Sequence, residues 1–129
     1  MKKQCLFSQS GPPAAGPYSH AVAAGNLLFV SGQGPFAKDG SGPVRGTFEE
    51  EARRTFDNLG AVLEDCGSGM DHVLKVTVFL ADMNQFVTLN GIYKEYFPKD
   101  FPARTCIQAG RLPADIQIEV EAIALLPSA

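Results

Sequence analysis

The stretch Val73-Leu74-Lys75-Val76-Thr77-Val78-Phe79-Leu80 is apolar at nearly every position, and it restricts what the rest of the chain can do. A short run so rich in β-branched residues is a strand, and one that is apolar on both faces must be covered on both. Alternation sends Leu74, Val76, Val78 and Leu80 to one side, with Val73 and Phe79 on the other. Ile107, Ile118, Val120 and Ile123 divide in the same way over two later strands. Only two stretches carry the three-to-four spacing of an amphipathic helix. Two helices cover one face of a sheet. A single copy would therefore expose more apolar sheet than a soluble monomer tolerates. The expectation is an α+β layer in one domain over residues 1–129, with its second face buried by further copies.

The order of elements follows from local signals. Cys5-Leu6-Phe7 suits a short strand, and the proline- and glycine-rich run from Ser10 to Pro17 a loop. Tyr18 to Ala24 and Leu27 to Ser31 flank the turn Gly25-Asn26 and predict a hairpin, ended by Gly32-Gln33-Gly34-Pro35. A flexible glycine-rich loop follows from Lys38 to Gly46. Thr47 and Glu50 form a capping box for a helix whose stripe is Phe48, Ala52, Phe56, Leu59, Leu63 and Cys66, with Gly67 as its stop. A second cap at Asp82 leads into the stripe Phe86, Leu89, Asn90, Tyr93 and Phe97, ending at Pro98. Asn90 is the polar member of that face: it either ties down a backbone group in the core or faces a ligand.

Composition narrows the function. With 45% apolar and 19% charged residues the chain is ordinary for a globular protein. Its net charge of −3 and scattered basic residues give poor footing for nucleic acid. No apolar run has membrane-spanning length, and the Met1-Lys2-Lys3 start breaks off too soon for a signal peptide. Cys5, Cys66 and Cys106 are odd in number and far apart, which points to a reducing, cytoplasmic setting and away from disulfides or zinc. His20 and His72 alone make a histidine-rich metal centre an unattractive reading.

Charge sits where buried strands rarely carry it. Arg104 opens an extended run after Pro102, and the closing strand Gln117 to Ala124 places Gln117, Glu119, Glu121 and Ile123 on one face. An arginine and two mid-strand carboxylates form either a site for a small anion beside an acid/base or a structural ion pair at a sheet edge.

Six pieces in register carry a resemblance over nearly the whole chain: Gly16-Pro17-Tyr18-Ser19, Ser31-Gly32-Gln33, Asn90-x-x-Tyr93-x-x-x-Phe97, Pro102-Ala103-Arg104-x-Cys106, Arg111-Leu112-Pro113 and Glu119-x-Glu121-Ala122-Ile123-Ala124. Together they resemble the RidA/YjgF family of reactive-intermediate deaminases. The resemblance implies a chorismate-mutase-like α+β fold, a mixed sheet with two helices on one face, and a homotrimer with clefts between subunits. It implies hydrolysis of 2-imino acids such as 2-iminopropanoate and 2-iminobutanoate to 2-keto acids and ammonia, without metal or organic cofactor. Arg104 would grip the substrate carboxylate as a fork, and Glu119 would orient or activate water. Tyr18 would close the cleft, with Ser31, Gly32, Asn90 and the Cys106 backbone completing the pocket.

Other expectations stand beside these. Cys106 as a nucleophile lacks a histidine to activate it, so a small buried thiol is the better reading. Glu121 is expected to pair with a basic residue or a backbone group. Gly34 stands where the family usually has an aliphatic residue, so that segment is expected to be looser. A trimeric binder of 2-keto acids without turnover, ribonuclease activity, and a purely structural trimer are the competing functions.

Overall fold

The structure, a computed structural model, describes residues 1–127. The chain runs β1 (Gln4–Leu6), β2 (Ala21–Ala24), β3 (Leu27–Gln33), α1 (Phe48–Asp65), β4 (Val73–Leu80), α2 (Phe86–Tyr96), β5 (Ala103–Gln108) and β6 (Ile118–Leu125), with short 3-10 turns before β4, α2 and β6. The strands form one six-stranded sheet in the order β1-β2-β3-β6-β4-β5. All its pairs are antiparallel except β4 with β5, which the α2 crossover makes parallel. Two helices on one face of a mixed sheet is the expected α+β architecture.

Each helix starts where its sequence dictates. The Thr47 hydroxyl accepts the Glu50 amide while the Glu50 carboxylate accepts the Thr47 amide, so the capping box is closed on both sides. The α1 stripe from Phe48 to Cys66 is buried throughout, and the Asp82 side chain caps the turn into α2. Against the helices β6 presents Ile118, Val120, Ala122 and Ala124, all buried. No helix among the described residues is long and apolar enough to cross a membrane.

Three expectations need correction. Tyr18, Ser19 and His20 lie in a bend, and β2 begins only at Ala21; the Tyr18 amide donates to the Gly16 carbonyl and turns the chain out of the ladder. A register shift between Val73 and Lys75 swaps the parity at the start of β4. Val73 consequently joins Val76, Val78 and Leu80 under the helices, and Leu74 is exposed. On α2, Ile92 takes the core place expected of Phe86, which is partly exposed.

The face away from the helices is left apolar. Phe29, Leu74, Ile107 and Leu125 are exposed, with Phe79 and Ile123 half-buried. This is the uncovered surface that the doubly apolar strands predict.

Candidate active site

Glu119 stands mid-strand on β6, opposite Phe79 and on the uncovered face, because its neighbours Ile118 and Val120 point into the core. Its carboxylate packs on Gly32 of β3, where the β3–β6 register shifts between Val30 and Gln33. A Cβ on Gly32 would lie 3.0 Å from the Glu119 carboxyl carbon and closer still to Oε2, so a side chain there would displace the Glu119 carboxylate from its present position. Glu119 is half-buried, and neither it nor Glu121 has a hydrogen-bond or ion-pair partner among the described residues. Burial pushes the Glu119 pKa above the usual carboxylate value, and the neighbouring Glu121 charge adds to the rise. The expected partner for Glu121 is thus missing, because its exposed side chain projects from the same open face.

Two residues that pattern alone did not single out brace the surroundings of Glu119, one at the start of β6 and one in the loop after β3. Glu51, buried in the first turn of α1, accepts the Gln117 amide at 3.1 Å, the Gln117 side-chain amide at 2.8 Å and the Gly46 amide at 3.3 Å. It fixes the residue two places before Glu119. Asn58 donates to the carbonyls of Gly34 and Phe36 and anchors the loop after β3. Gly34 is not loose: a Cβ there would meet Ile116 at 2.7 Å and Phe36 at 2.9 Å, so those side chains occupy the space an aliphatic residue would fill.

Tyr18, Ser31, Gly32, Glu119 and Glu121 line a common cleft of about 810 Å³. The N-terminal loop that carries Tyr18 is tethered at both ends. Asp65 accepts from the Ser8 hydroxyl and from both the amide and hydroxyl of Ser10, bonds that hold its pKa down at about 2. His20 accepts the Ser8 amide at Nδ1, which leaves Nε2–H to donate to the Pro12 carbonyl. The Tyr18 hydroxyl accepts from the Ala15 amide, and its own proton remains available to the cleft. Ser31 donates to the Ser19 carbonyl.

Arg104 belongs to the other face. In the parallel β4–β5 register it is level with Val76, and Cys106 with Val78, both on the helix side. Its guanidinium lies 4.7 Å from the Tyr93 ring centroid and 5.5 Å from that of Phe86, both on α2. No carboxylate pairs with it among the described residues, so the Arg–Glu ion pair at a sheet edge is absent. Asn90 sits between Phe86 and Tyr93 on the helix, half-buried and without a side-chain hydrogen bond among the described residues. It ties down no backbone group in the core. The Cys106 thiol is half-buried and its pKa is pushed up by burial, the reverse of nucleophile activation. One chain therefore brings Tyr18, Ser31, Gly32 and Glu119 together, and separately Arg104, Asn90 and Cys106.

Residues 8–126 match the family described as Endoribonuclease L-PSP. A RutC family protein of Pyrococcus abyssi is 42% identical over 124 residues, which cover 96% of this chain and 98% of the relative. The chain belongs to the RidA/YjgF family. Among RidA/YjgF relatives, TdcF of Escherichia coli, provisionally named a reactive intermediate deaminase, is 36% identical over 95% of this chain and 97% of its own. A crystal structure of TdcF with bound serine superposes with a TM-score of 0.88, at 35% identity over 95% of this chain and 98% of that one. The yeast protein YEO7 superposes with a TM-score of 0.94, at 39% identity over 98% and 100% of the two chains. The RidA/YjgF fold is therefore shared over essentially the whole chain.

Proposed function

We propose that the protein hydrolyses 2-imino acids, 2-iminopropanoate and 2-iminobutanoate among them, to 2-keto acids and ammonia, as a homotrimer with its clefts between copies. The observation that carries this reading is Glu119, an unpartnered half-buried carboxylate lining a cleft. Such a group costs stability unless it has a task, and its raised pKa moves it towards the range where an acid/base is efficient at neutral pH. The bare Arg104, stacked on aromatic rings with its donors unpaired, is the complementary anchor for a carboxylate. These two groups lie on opposite faces of one sheet. A second copy seated on the uncovered apolar face would bring one chain's Arg104 to its neighbour's Glu119.

In that shared cleft Arg104 holds the substrate carboxylate and presents C2 of the protonated imine to water. Glu119 takes the proton of the attacking water and passes it to the nitrogen of the resulting carbinolamine. The C2–N bond breaks with its electron pair going to nitrogen, the Glu119 carboxylate takes the hydroxyl proton as the keto carbonyl forms, and the departing ammonia carries that proton away as ammonium. A protonated imine is already electrophilic, so positioning and proton transfer are what the protein has to add. The serine bound in the TdcF structure supports a ligand of 2-amino-acid shape in this family. The three cysteines are free thiols, which fits work in the cytoplasm.

The family's endoribonuclease description raises RNA cleavage as the rival. A net charge of −3 and two unpaired carboxylates in the cleft would repel a phosphate backbone. A binder of 2-keto acids without turnover would use Arg104 equally well, but an unpaired carboxylate beside a bound anion works against it. The deciding experiment generates 2-iminopropanoate or 2-iminobutanoate in situ with a dehydratase and follows ammonia and keto acid. Faster release in the presence of the protein is expected. No acceleration by an intact oligomer would leave the binder.

A further inference from the structure

Tyr93 carries a buried hydroxyl that neither the fold nor the proposed reaction uses. The group is sealed from solvent and has no hydrogen-bond partner among the described residues. Such a hydroxyl costs stability, and phenylalanine would fill the same core place without that cost. Burial pushes the Tyr93 pKa up to about 12, against the pull of the Arg104 charge, so the side chain is a neutral phenol at ordinary pH. What Tyr93 offers Arg104 is the face of its ring and no negative charge.

That ring is fixed from the core side. Phe56 of α1, fully buried, meets it edge-on with ring centroids 5.7 Å apart, and the Phe97 ring lies 4.7 Å away. Phe86 stands seven residues earlier, two turns along the same face of α2. The Arg104 guanidinium reaches over both rings. Neither contact uses up an N–H group. With no ion pair to Arg104 among the described residues, its donors stay available to a ligand. A carboxylate in place of the rings would hold the arginine as firmly, but it would neutralise the charge and occupy the fork.

We propose that Tyr93 and Phe86 are positioning residues for Arg104, an aromatic cradle that aims the guanidinium and leaves its charge and donors to the substrate carboxylate. The assignment rests on the deaminase reading and adds to it the means by which the anchor is held. A long flexible side chain must be ordered before it can bind, and the rings supply that order in the free protein. Loss of a ring therefore weakens the binding of substrate and keto acid and leaves the acid/base step alone. Contacts of this kind correspond to roughly 2- to 30-fold in affinity. The larger share falls to Tyr93, whose ring is the nearer and the more buried.

The test titrates pyruvate into the full-length oligomer by calorimetry and measures kcat and KM with 2-iminopropanoate. Tyr93→Phe keeps the ring and should hold pyruvate affinity within about twofold of wild type, with a raised melting temperature because the unpaired hydroxyl is gone. Tyr93→Leu should raise Kd and KM in parallel by about 5- to 30-fold, and Phe86→Leu by about 2- to 5-fold, while kcat changes by less than about twofold. Phe86 is 37% exposed in the chain, so its variant tests the cradle even where Tyr93→Leu fails to fold. Unchanged pyruvate affinity in both folded leucine variants, or a loss in Tyr93→Phe as large as in Tyr93→Leu, overturns the cradle and leaves the deaminase reading standing. Pyruvate binding without imine hydrolysis by the wild type overturns the deaminase reading alone, with the affinities still deciding the cradle. A wild type that neither binds nor hydrolyses overturns both.

Discussion

The two charged regions of this chain sit on the same sheet and differ in everything that surrounds them. Arg104 is on edge strand β5, on the helix-covered face, with its guanidinium laid against Tyr93 and Phe86. Glu119 and Glu121 are on central strand β6, on the uncovered face, in a cleft of their own. Among the described residues the arginine has no acid and the acids have no base. A cation over aromatic rings is comfortable in that state, whereas a half-buried carboxylate is not, and its raised pKa records the discomfort. The contrast is what the proposed site, divided between copies, requires, and no ion pair joins the two regions among the described residues. The exposed apolar band of Phe29, Leu74, Ile107 and Leu125 supplies the surface on which a second copy would join them.

Removing the cationic half should have the largest effect. Two charge-assisted hydrogen bonds at about 1.5–3 kcal/mol each correspond to roughly 10²- to 10⁴-fold in kcat/KM for Arg104→Ala. Arg104→Lys should be nearly as poor, since a point charge cannot reproduce the fork. Sedimentation should show the same oligomer for both. A fully active lysine variant would reduce Arg104 to general positive potential.

Glu119→Gln should cost on the order of 10²-fold in imine hydrolysis, while calorimetry finds 2-keto acids still bound. Its stability should move the other way. With a folded pKa above 4.5, the wild-type fold holds a proton that the unfolded chain gives up. That stability is present below 4.5 and is lost as pH rises through the folded value. The glutamine variant escapes the loss, so its melting temperature should exceed the wild type's near about pH 8 and match it near about pH 4. Undiminished hydrolysis would mean that water is activated elsewhere.

Glu51→Ala tests whether the acidic half is held from outside the cleft. It strips three donors on Gly46 and Gln117 of their acceptor and should cost at least about 2 kcal/mol of stability in denaturant unfolding. A neutral outcome would show that β6 is positioned by its ladder alone. Glu121→Gln should give the smallest effect, less than about tenfold in rate. Because the Glu121 charge helps to raise Glu119, the acid limb of kcat/KM should shift to lower pH in this variant. An unmoved limb would separate the two carboxylates.

Sequence carried some of this arrangement better than the rest. The helices announce themselves through the Thr47 capping box and the Phe48-to-Cys66 stripe, and strict alternation in β6 assigns Glu119 and Glu121 their face. The parity of Val73 and Leu74 was hidden because a bulge leaves no mark in hydrophobic periodicity. Glu51 reads as one of three acidic residues in a first turn, Glu49, Glu50 and Glu51, where negative charge is favoured anyway. Only the partner strand's amides distinguish it. The strand expected at Tyr18 failed because its apolar alternation continues from β2 while Gly16 and Pro17 turn the backbone away. That Arg104 and Glu119 lie on opposite faces of the sheet was not legible in the residue pattern, since it depends on how β5 and β6 register against β4; clefts between subunits came only from the resemblance.

The central claim, that Arg104 and Glu119 act across copies, is tested most directly by complementation. Arg104→Ala and Glu119→Gln chains are co-expressed with different tags, mixed oligomers are isolated, and hydrolysis of 2-iminopropanoate is measured. In a trimeric ring with one Arg104 and one neighbouring Glu119 per cleft, every mixed oligomer has one intact cleft of three, so the isolated mixtures regain about a third of wild-type activity, although each parent keeps about 1% or less. Mixed oligomers as inactive as their parents would place both residues in one chain's site and contradict the account.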